Sequence, residues 1–244
     1  MPEWWFSPLS GAVSHEIAPW AYWLARCMVL AWGVLLPLGA IVARFYKVMP
    51  GQNWPRELDN ARWWHGHRRL QWAGVGVMTL GLWLAWNHAA EAGGGVGIST
   101  RAFVSTTAQA HAWAGWALCA VAWLQIAGGL ARGSKGGPTD VQMRGDHYDM
   151  TPRRTSFERA HKALGWLAVG ASMVVIALGL VVADAPRWMA LVLALWWLVL
   201  AAVCAVLQQS GRCIDTYQAI WGPDPIHPGN RMSPVGWGVR RPLG

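Results

Sequence analysis

Five long apolar runs constrain this chain more than any other feature of its sequence. They cover residues 19–43, 70–86, 108–131, 164–183 and 188–207, and no strand-like alternation of useful length separates them. A helix that crosses a membrane needs about 20 mostly apolar residues, and the runs approach or exceed this length, the second being the shortest. Charged residues make up 13% of the 244 residues, against about 25% in soluble domains. The sequence therefore predicts an all-α integral membrane protein with five transmembrane helices.

The Lys and Arg residues set the expected orientation. All but three of the 20 lie in the connections after the first and third runs or near the C-terminus, and the exceptions are Arg26, Arg101 and Arg187. Since basic connections stay in the cytoplasm, we expect a multi-pass protein of the inner (plasma) membrane with its N-terminus outside and its C-terminus in the cytoplasm. The apolar runs divide the basic residues into blocks, which argues against a nucleic-acid partner despite the net charge of +8.

The apolar runs divide the chain into three predicted parts. Residues 1–18 form a periplasmic segment, residues 19–207 form the transmembrane domain, and residues 208–244 form a cytoplasmic tail rich in Pro and Gly. Because prolines interrupt helices, we expect an extended tail with neither a helix nor a core of its own. The connection from Arg132 to Ala160 is long enough to be a functional or a disordered loop.

Polar residues outside the runs predict one helix cap and the environments of three histidines. Asp59 is the expected N-cap of a helix that continues the second run back through ARWWHGHRR. His65 points about 160° away from His67 on that helix, so we expect it at the membrane interface. His147 and His227 lie in cytoplasmic segments, where we expect them to be solvated or hydrogen-bonded within a loop.

Four histidines lie in or beside the runs, in two pairs of matched depth. His67 and His161 are at the cytoplasmic ends of the second and fourth predicted helices, and His88 and His111 are near the outer face. An ionisable residue inside a membrane span indicates a functional site. Two imidazoles on facing helices of a bundle are the usual ligands of a b-type haem. The pattern therefore indicates haem binding.

Glycines follow two of these histidines at the spacing of one helical turn. Gly115 is four residues after His111, and Gly165 is four residues after His161, so each histidine has a bare backbone patch on its own helix face. A flat porphyrin needs such space. Small residues and histidines at this spacing also mediate ordinary helix packing, which is the alternative explanation.

Two glutamines lie close to the same helix faces. Gln71 is one turn from His67, and Gln125 returns to within about 40° of the face of His111. A buried amide needs a hydrogen-bond partner, and we expect Gln125 to find one across the bundle.

Together these stretches resemble the cytochrome b561 family, particularly its bacterial and domain-fused branches. The matching motifs are WGVLLPLG with ARF, WWHGHRRLQ, HAWAG with Gln125, ERAHKALG, and DTYQAIWGPDPIHPGN in the tail. The resemblance covers nearly the whole chain. It implies a four-helix haem-binding bundle formed by the first four helices, and electron transfer across the membrane.

The resemblance also implies which residues bind haem iron. The ligands of the inner haem match His67 and His161, and one ligand of the outer haem matches His111. Around these ligands, four residues are expected to shape the haem cavities: Gln71, Gly115, Gln125 and Gly165.

Leu24 occupies the position of the second outer ligand, and leucine cannot bind iron. The outer haem is then absent or five-coordinate, or else His15 or His88 replaces the missing ligand. We therefore expect one haem b per chain, with two as the alternative. Arg26, two residues beyond Leu24, is expected either to contact haem propionates or to reach the lipid headgroups.

The function expected from this resemblance is that of a membrane-embedded b-type cytochrome that moves single electrons through haem, with no catalytic residue. The electron donor and acceptor leave no trace in the sequence. Lys135, Arg153 and Arg154 form a basic inner rim that either docks an anionic donor or acceptor or reflects topology alone.

Two other functions and a question of assembly stay open. One function is a single-haem membrane sensor or assembly subunit without net transmembrane electron transfer. The other is a transporter without haem, in which the histidines relay protons. Association between copies of the chain, to form a homo-oligomer, is also left open.

Overall fold

The computed structural model describes residues 2–11, 19–91, 106–137 and 144–242, and every regular element within these ranges is helical. The α-helices are α1 (Pro2–Phe6), α2 (Pro19–Met28), α3 (Leu36–Phe45), α4 (Arg62–Glu91), α5 (Thr106–Leu130), α6 (Pro152–Val182), α7 (Arg187–Gln209) and α8 (Thr216–Trp221). A π-helical segment (Val29–Leu35) joins α2 to α3, and a 3-10 helix (Pro228–Arg231) lies in the tail. The predicted all-α class is confirmed for this part of the chain.

Four helices in the described ranges are long and apolar enough to cross a membrane. They are Pro19–Phe45, Thr106–Leu130, Pro152–Val182 and Arg187–Gln209, and they contain the first, third, fourth and fifth predicted spans. The second predicted span lies in α4, which has 30 residues but contains tryptophan, glycine, asparagine and histidine residues that lower its mean hydropathy. Length and composition therefore establish four helices as candidate spans, and α4 is not one of them.

Large apolar side chains are exposed on the candidate spans. Leu195 and Leu198 of α7 are 63% and 67% exposed, and Leu167 of α6 is 69% exposed. Exposed apolar surface of this extent marks a face that contacts lipid or a partner. It agrees with the membrane character of these helices.

The chain forms two compact units, and each contains three separate segments. The first unit comprises Met1–Pro37, Trp72–Trp123 and Ala168–Ala201. Within it, Nε1 of Trp196 donates a hydrogen bond to the carbonyl oxygen of Gly33 at 2.7 Å. Gly33 lies in the π-helical segment, where a helical turn accommodates an extra residue. This hydrogen bond joins α7 to the first candidate span.

The second unit comprises Leu38–Gln71, Leu124–Leu167 and Ala202–Gly244. The tail therefore belongs to the same unit as segments of four long helices, α4, α5, α6 and α7. The prediction that the tail has neither a helix nor a core is wrong. All residues of α8 are buried, and the tail prolines follow this helix, so that they do not interrupt it.

The core around α8 is formed by aromatic side chains from the tail and apolar residues from other segments. Tyr217, Trp221 and Val235 of the tail pack with Met150, and Tyr148 packs against the cluster. Tyr217 also donates a hydrogen bond from its hydroxyl to the carbonyl oxygen of Tyr148 at 2.8 Å. The connection between α5 and α6 and the tail thus bury each other's apolar surface.

The connection between α5 and α6 is folded on both sides of residues 138–143, which lie outside the described residues. The backbone N–H groups of His147 and Tyr148 donate to the carbonyl oxygens of Ser134 and Lys135, each at 3.1 Å. α6 begins at Pro152, so the connection is shorter than predicted. The residues around His147 belong to the folded core rather than to a loose loop.

The predicted N-cap of α4 is also wrong. Asp59 has a φ of 53°, and its carboxylate forms an ion pair with Lys135 at 2.5 Å. The side chain of Asn60 instead accepts a hydrogen bond from the backbone N–H of Arg62 at 3.1 Å. Both Asp59 and Asn60 are good capping residues, and in the structure Asn60 makes the contact with the start of α4.

His147 is buried, whereas the sequence predicted a solvated or loop-bonded side chain. It is 4% exposed, and its Nε2 has no hydrogen-bond partner within the described ranges. Burial, helped by the positive charge of Arg154, lowers its pKa from 6.5 to about 3. The folded chain therefore holds this imidazole in its neutral form.

We expect the neutral state of His147 to make the fold acid-sensitive. An unfolded chain protonates this side chain near pH 6.5, whereas the folded chain resists protonation down to about pH 3. The contribution of His147 to the free energy of unfolding should thus be fully present above pH 6.5 and should fall by about 1.4 kcal/mol per pH unit below it. Denaturant unfolding in detergent micelles at pH 7.5 and pH 5 measures this loss.

The variant His147→Leu should lose the part of this pH dependence that His147 contributes, and His65→Leu, in an exposed position, should keep it. An equal loss of stability on acidification in wild type and His147→Leu would contradict the prediction.

Candidate functional site

The structure brings His67 and His161 together, as the sequence predicted. They lie on α4 and α6 within the second unit, with ring centres 6.4 Å apart and ring planes at 85°. These two helix segments are far apart in sequence, so only tertiary packing creates the pair. It is the centre of the candidate site.

A backbone carbonyl of α3 orients His67. Nδ1 of His67 lies 2.9 Å from the carbonyl oxygen of Gly39. Because a carbonyl oxygen only accepts hydrogen bonds, Nδ1 is the donor, and the lone pair of the neutral ring is on Nε2. The sequence did not predict this role of Gly39, because every residue has a backbone carbonyl and none marks itself as a hydrogen-bond partner.

Glycine at position 39 also makes room for Gln71. A Cβ atom at Gly39 would overlap the side-chain amide of Gln71 and would lie 3.2 Å from Cβ of Leu70. α3 and α4 therefore approach each other closely at the level of His67. Gln71 lies beside the site, as its spacing from His67 predicted.

Gln125 finds its partner across the helices. Its Nε2 donates a hydrogen bond to the carbonyl oxygen of His161 at 2.8 Å. The bare patch predicted at Gly165 faces this amide, since a Cβ atom there would lie 3.2 Å from Nε2 of Gln125. Gln125 and Gly165 thus fix α5 against α6 beside His161.

The ring of His161 has an aromatic neighbour and a free nitrogen. Phe157, one turn earlier on α6, stacks on it with ring centres 5.3 Å apart and planes at 27°. Nδ1 of His161 is buried and has no hydrogen-bond partner among the residues that the structure describes. A buried polar atom without a partner is costly, so this nitrogen points to a missing interaction.

The basic inner rim predicted from the sequence is largely paired within the protein. Lys135 contacts Asp59, and Arg153 donates a hydrogen bond to the carbonyl oxygen of Ala131 at 2.8 Å. Arg154 is 9% exposed. Lys135 and Arg153 are exposed and Arg154 is buried, and docking of an anionic donor or acceptor at this rim stays a prediction.

His111 occupies a separate environment in the first unit. Its Nδ1 lies 2.9 Å from the carbonyl oxygen of Val175. A Cβ atom at Gly179 would lie 2.8 Å from Cε1 of His111. At Gly115, a Cβ atom would meet no heavy atom of the described residues within 4 Å. The glycine that makes room for the ring is therefore Gly179, and Gly115 leaves open space beside its own helix.

A helical signal could have identified Gly179. It is 18 residues after His161, which is five full turns, so both residues lie on one face of α6. The predicted glycines, Gly115 and Gly165, each lie one turn from a histidine on the same helix, and Gly179 does not.

Leu24 and Arg26 lie on α2, in the first unit. Cδ1 of Leu24 would lie 3.6 Å from a Cβ atom at Gly81, so this side chain packs towards α4. The guanidinium of Arg26 lies 5.0 Å from the ring of Trp23 and 6.0 Å from that of Tyr22. Such contacts are typical of a cation at a membrane interface, and contact with haem propionates stays a prediction.

Two of the remaining histidines lie in the environments that the sequence predicted. His65 is exposed, in agreement with an interfacial position, and Nδ1 of His227 lies 3.1 Å from the hydroxyl of Tyr148, in agreement with a loop contact. His15 and the side chain of His88 lie outside the described residues.

We expect the contact between Gly179 and His111 to be sensitive to a single methyl group. Gly179→Ala should push the imidazole away from Val175 and cost about 1–3 kcal/mol, the usual penalty of overpacking. Gly170→Ala, on the same helix, is the matched control, because a Cβ atom there meets no described heavy atom within 4 Å. Denaturant unfolding of both variants measures the difference, and equal stabilities would refute it.

The site differs from a typical centre for a free metal ion. No group of three or more His, Cys, Asp or Glu side chains capable of holding a metal ion occurs among the described residues. A haem iron takes four of its ligands from the porphyrin, so that two protein ligands are enough. A scan against protein-family models and searches of curated proteins and of solved structures found no match to this chain.

Proposed function

We propose that this chain is a membrane-embedded b-type cytochrome, similar to the cytochrome b561 family, that holds haem between His67 and His161 and moves single electrons through it. The observation that carries the proposal is the separation of the two ring centres, 6.4 Å. Ring centres at this separation would allow one metal ion to be held between a nitrogen of each ring. His67 and His161 would then hold the haem iron between them.

The hydrogen-bonding state of both histidines supports this proposal. The carbonyl of Gly39 fixes the tautomer of His67 in which Nε2 is the free ligand atom. His161 has a buried nitrogen without a partner within the described ranges. Two neutral imidazoles in a largely buried position therefore offer the donor set of a low-spin haem.

Haem b, when bound here, supplies one-electron redox chemistry at its iron. The protein's contribution is to hold the two imidazoles at a fixed separation and His67 in a fixed tautomer. Gly39 orients His67, and Gln125 anchors the α6 backbone at His161. Histidine ligands that keep the same positions in the oxidised and the reduced state would lower the reorganisation energy of electron transfer.

The proposal includes α4 as a fifth membrane span. Its 30 residues reach about 45 Å, more than the roughly 30 Å of the hydrocarbon core. Its basic residues Arg62, Arg68 and Arg69 lie in its first turns, where headgroups accommodate charge. The first four spans would then form the haem bundle, in the inner membrane with the N-terminus outside and the C-terminus in the cytoplasm.

A second candidate function is a single-haem sensor or assembly subunit without net transmembrane electron transfer. It is favoured by Leu24, which occupies the position expected for the second ligand of the outer haem. Leu24 packs towards Gly81 and cannot bind iron. Electron flow in proteoliposomes, with reductant inside and an impermeant oxidant outside, separates the two functions.

We expect that His67→Ala and His161→Ala will each abolish the low-spin bis-histidine absorption and paramagnetic resonance spectrum of the inner haem. Each replacement removes one of two axial ligands. His65→Ala is the matched control, because His65 is exposed and lies two residues from His67. A normal low-spin signal in His161→Ala would overturn the ligand assignment, and a colourless wild-type protein would overturn the function.

We expect about one haem per chain in the purified protein, measured by pyridine haemochrome against amino-acid analysis. Leu24→His should add a second low-spin haem, since histidine would supply the outer ligand that the resemblance implies. Leu30→His, at a position 45% exposed, is the control and should add none. Two low-spin haems in the wild type would refute the one-haem prediction, and His88→Ala would then be the first variant to test.

A further inference from the structure

Three arginines surround the aromatic neighbours of the histidine pair in the second unit. The guanidinium of Arg132 lies 4.0 Å from the ring centre of Trp64, and that of Arg68 lies 5.9 Å from the same ring. The ring of Trp64 is in turn 6.0 Å from that of His67. Trp64 is therefore the shared neighbour of two guanidinium groups and of His67.

The third arginine approaches the other histidine. The guanidinium of Arg154 lies 5.5 Å from the ring of Phe157, which stacks on His161. We call Arg68, Arg132 and Arg154 the arginine cluster.

The members of the cluster are close enough to repel one another. Burial, together with the charges of Arg154 and Arg68, lowers the pKa of Arg132. Arg68 and Arg132 have no carboxylate partner among the residues that the structure describes. Arg68 is exposed, whereas Arg132 and the buried Arg154 have one nearby carboxylate between them, that of Glu158. A further anion would therefore stabilise this part of the fold.

Arg154 also has an unsatisfied donor. It is 9% exposed, and its Nε has no hydrogen-bond partner within the described part of the chain. Glu158 comes only to 3.8 Å from this nitrogen and makes its short contact, 2.6 Å, with Lys162. A buried guanidinium N–H without an acceptor indicates that an acceptor from outside the chain belongs there.

We propose that the arginine cluster binds the two carboxylates of the haem held by His67 and His161; this inference rests on the proposed function. The cluster supplies positive charge on the side of both histidines, and haem b carries two propionate carboxylates on one edge. Arginine pairs with carboxylates through two parallel hydrogen bonds. A free carboxylate or phosphate anion has the same chemistry, and the experiment below separates it from haem.

The experiment compares two forms of haem in the full-length protein. The apoprotein, freed of haem in detergent, is titrated with haem b and with its dimethyl ester, in which both carboxylates are neutral. We expect wild type to prefer haem b by about ten- to hundredfold, the range for a hydrogen bond between charged groups. Arg132→Gln should lose most of this preference while keeping its affinity for the ester.

Two further variants act as controls. Arg159→Gln removes the same charge from an exposed position on α6 and should keep the wild-type preference. Arg154→Lys keeps the charge at the buried position, so it should fold and retain part of the preference. The midpoint potential of the haem should also fall in Arg132→Gln, because a lost positive charge destabilises the reduced form.

Each other result overturns the inference in a distinguishable way. Low-spin haem with the same preference in wild type, Arg132→Gln and Arg154→Lys leaves the proposed function standing and removes the role of the cluster. No preference for haem b, with stabilisation of the apoprotein by inorganic phosphate that Arg132→Gln abolishes, assigns the cluster to a free anion. Absence of haem binding in wild type overturns both the function and the inference.

Discussion

Hydrocarbon offers no hydrogen bonds, and this constraint bears on the polar side chains of the long apolar helices. The helices satisfy their own backbones, and four polar side chains find a carbonyl oxygen on another helix. His67 takes that of Gly39, Gln125 that of His161, and Trp196 that of Gly33. His111 does the same with Val175. These contacts tie helices together and fix the tautomer of each imidazole at once.

Small residues make these contacts geometrically feasible. A side chain can approach the backbone of another helix only where no Cβ atom stands in the way. Gly39 admits Gln71, and Gly179 admits the ring of His111. Gly165 similarly accommodates Gln125. The glycines therefore act as parts of the polar sites, which explains why they accompany the histidines in the sequence.

Outside the spans, buried charges follow a similar rule. Lys47 donates a hydrogen bond to the carbonyl oxygen of Ile214 at 3.0 Å, and burial lowers its pKa to about 8. Asp215, which caps α8, pairs with Arg241 at 2.7 Å. The tail is thus fixed by buried ion pairs and carbonyl contacts around an aromatic core. The exception is Arg132, which is half-buried over Trp64 and has no carboxylate partner among the described residues.

The sequence by itself determined the all-α class, the position of the apolar helices and the partnership of His67 with His161, because helical periodicity and membrane thickness leave few alternatives. It also indicated that Gln125 bonds across the helices, since a buried amide must be satisfied. Only the tertiary structure decided that the partner is a backbone carbonyl, that Gly179 rather than Gly115 receives the ring of His111, and that His147 is buried under a folded tail. These outcomes depend on contacts between segments distant in sequence and on backbone atoms that every residue shares. Local patterns carry no record of such contacts.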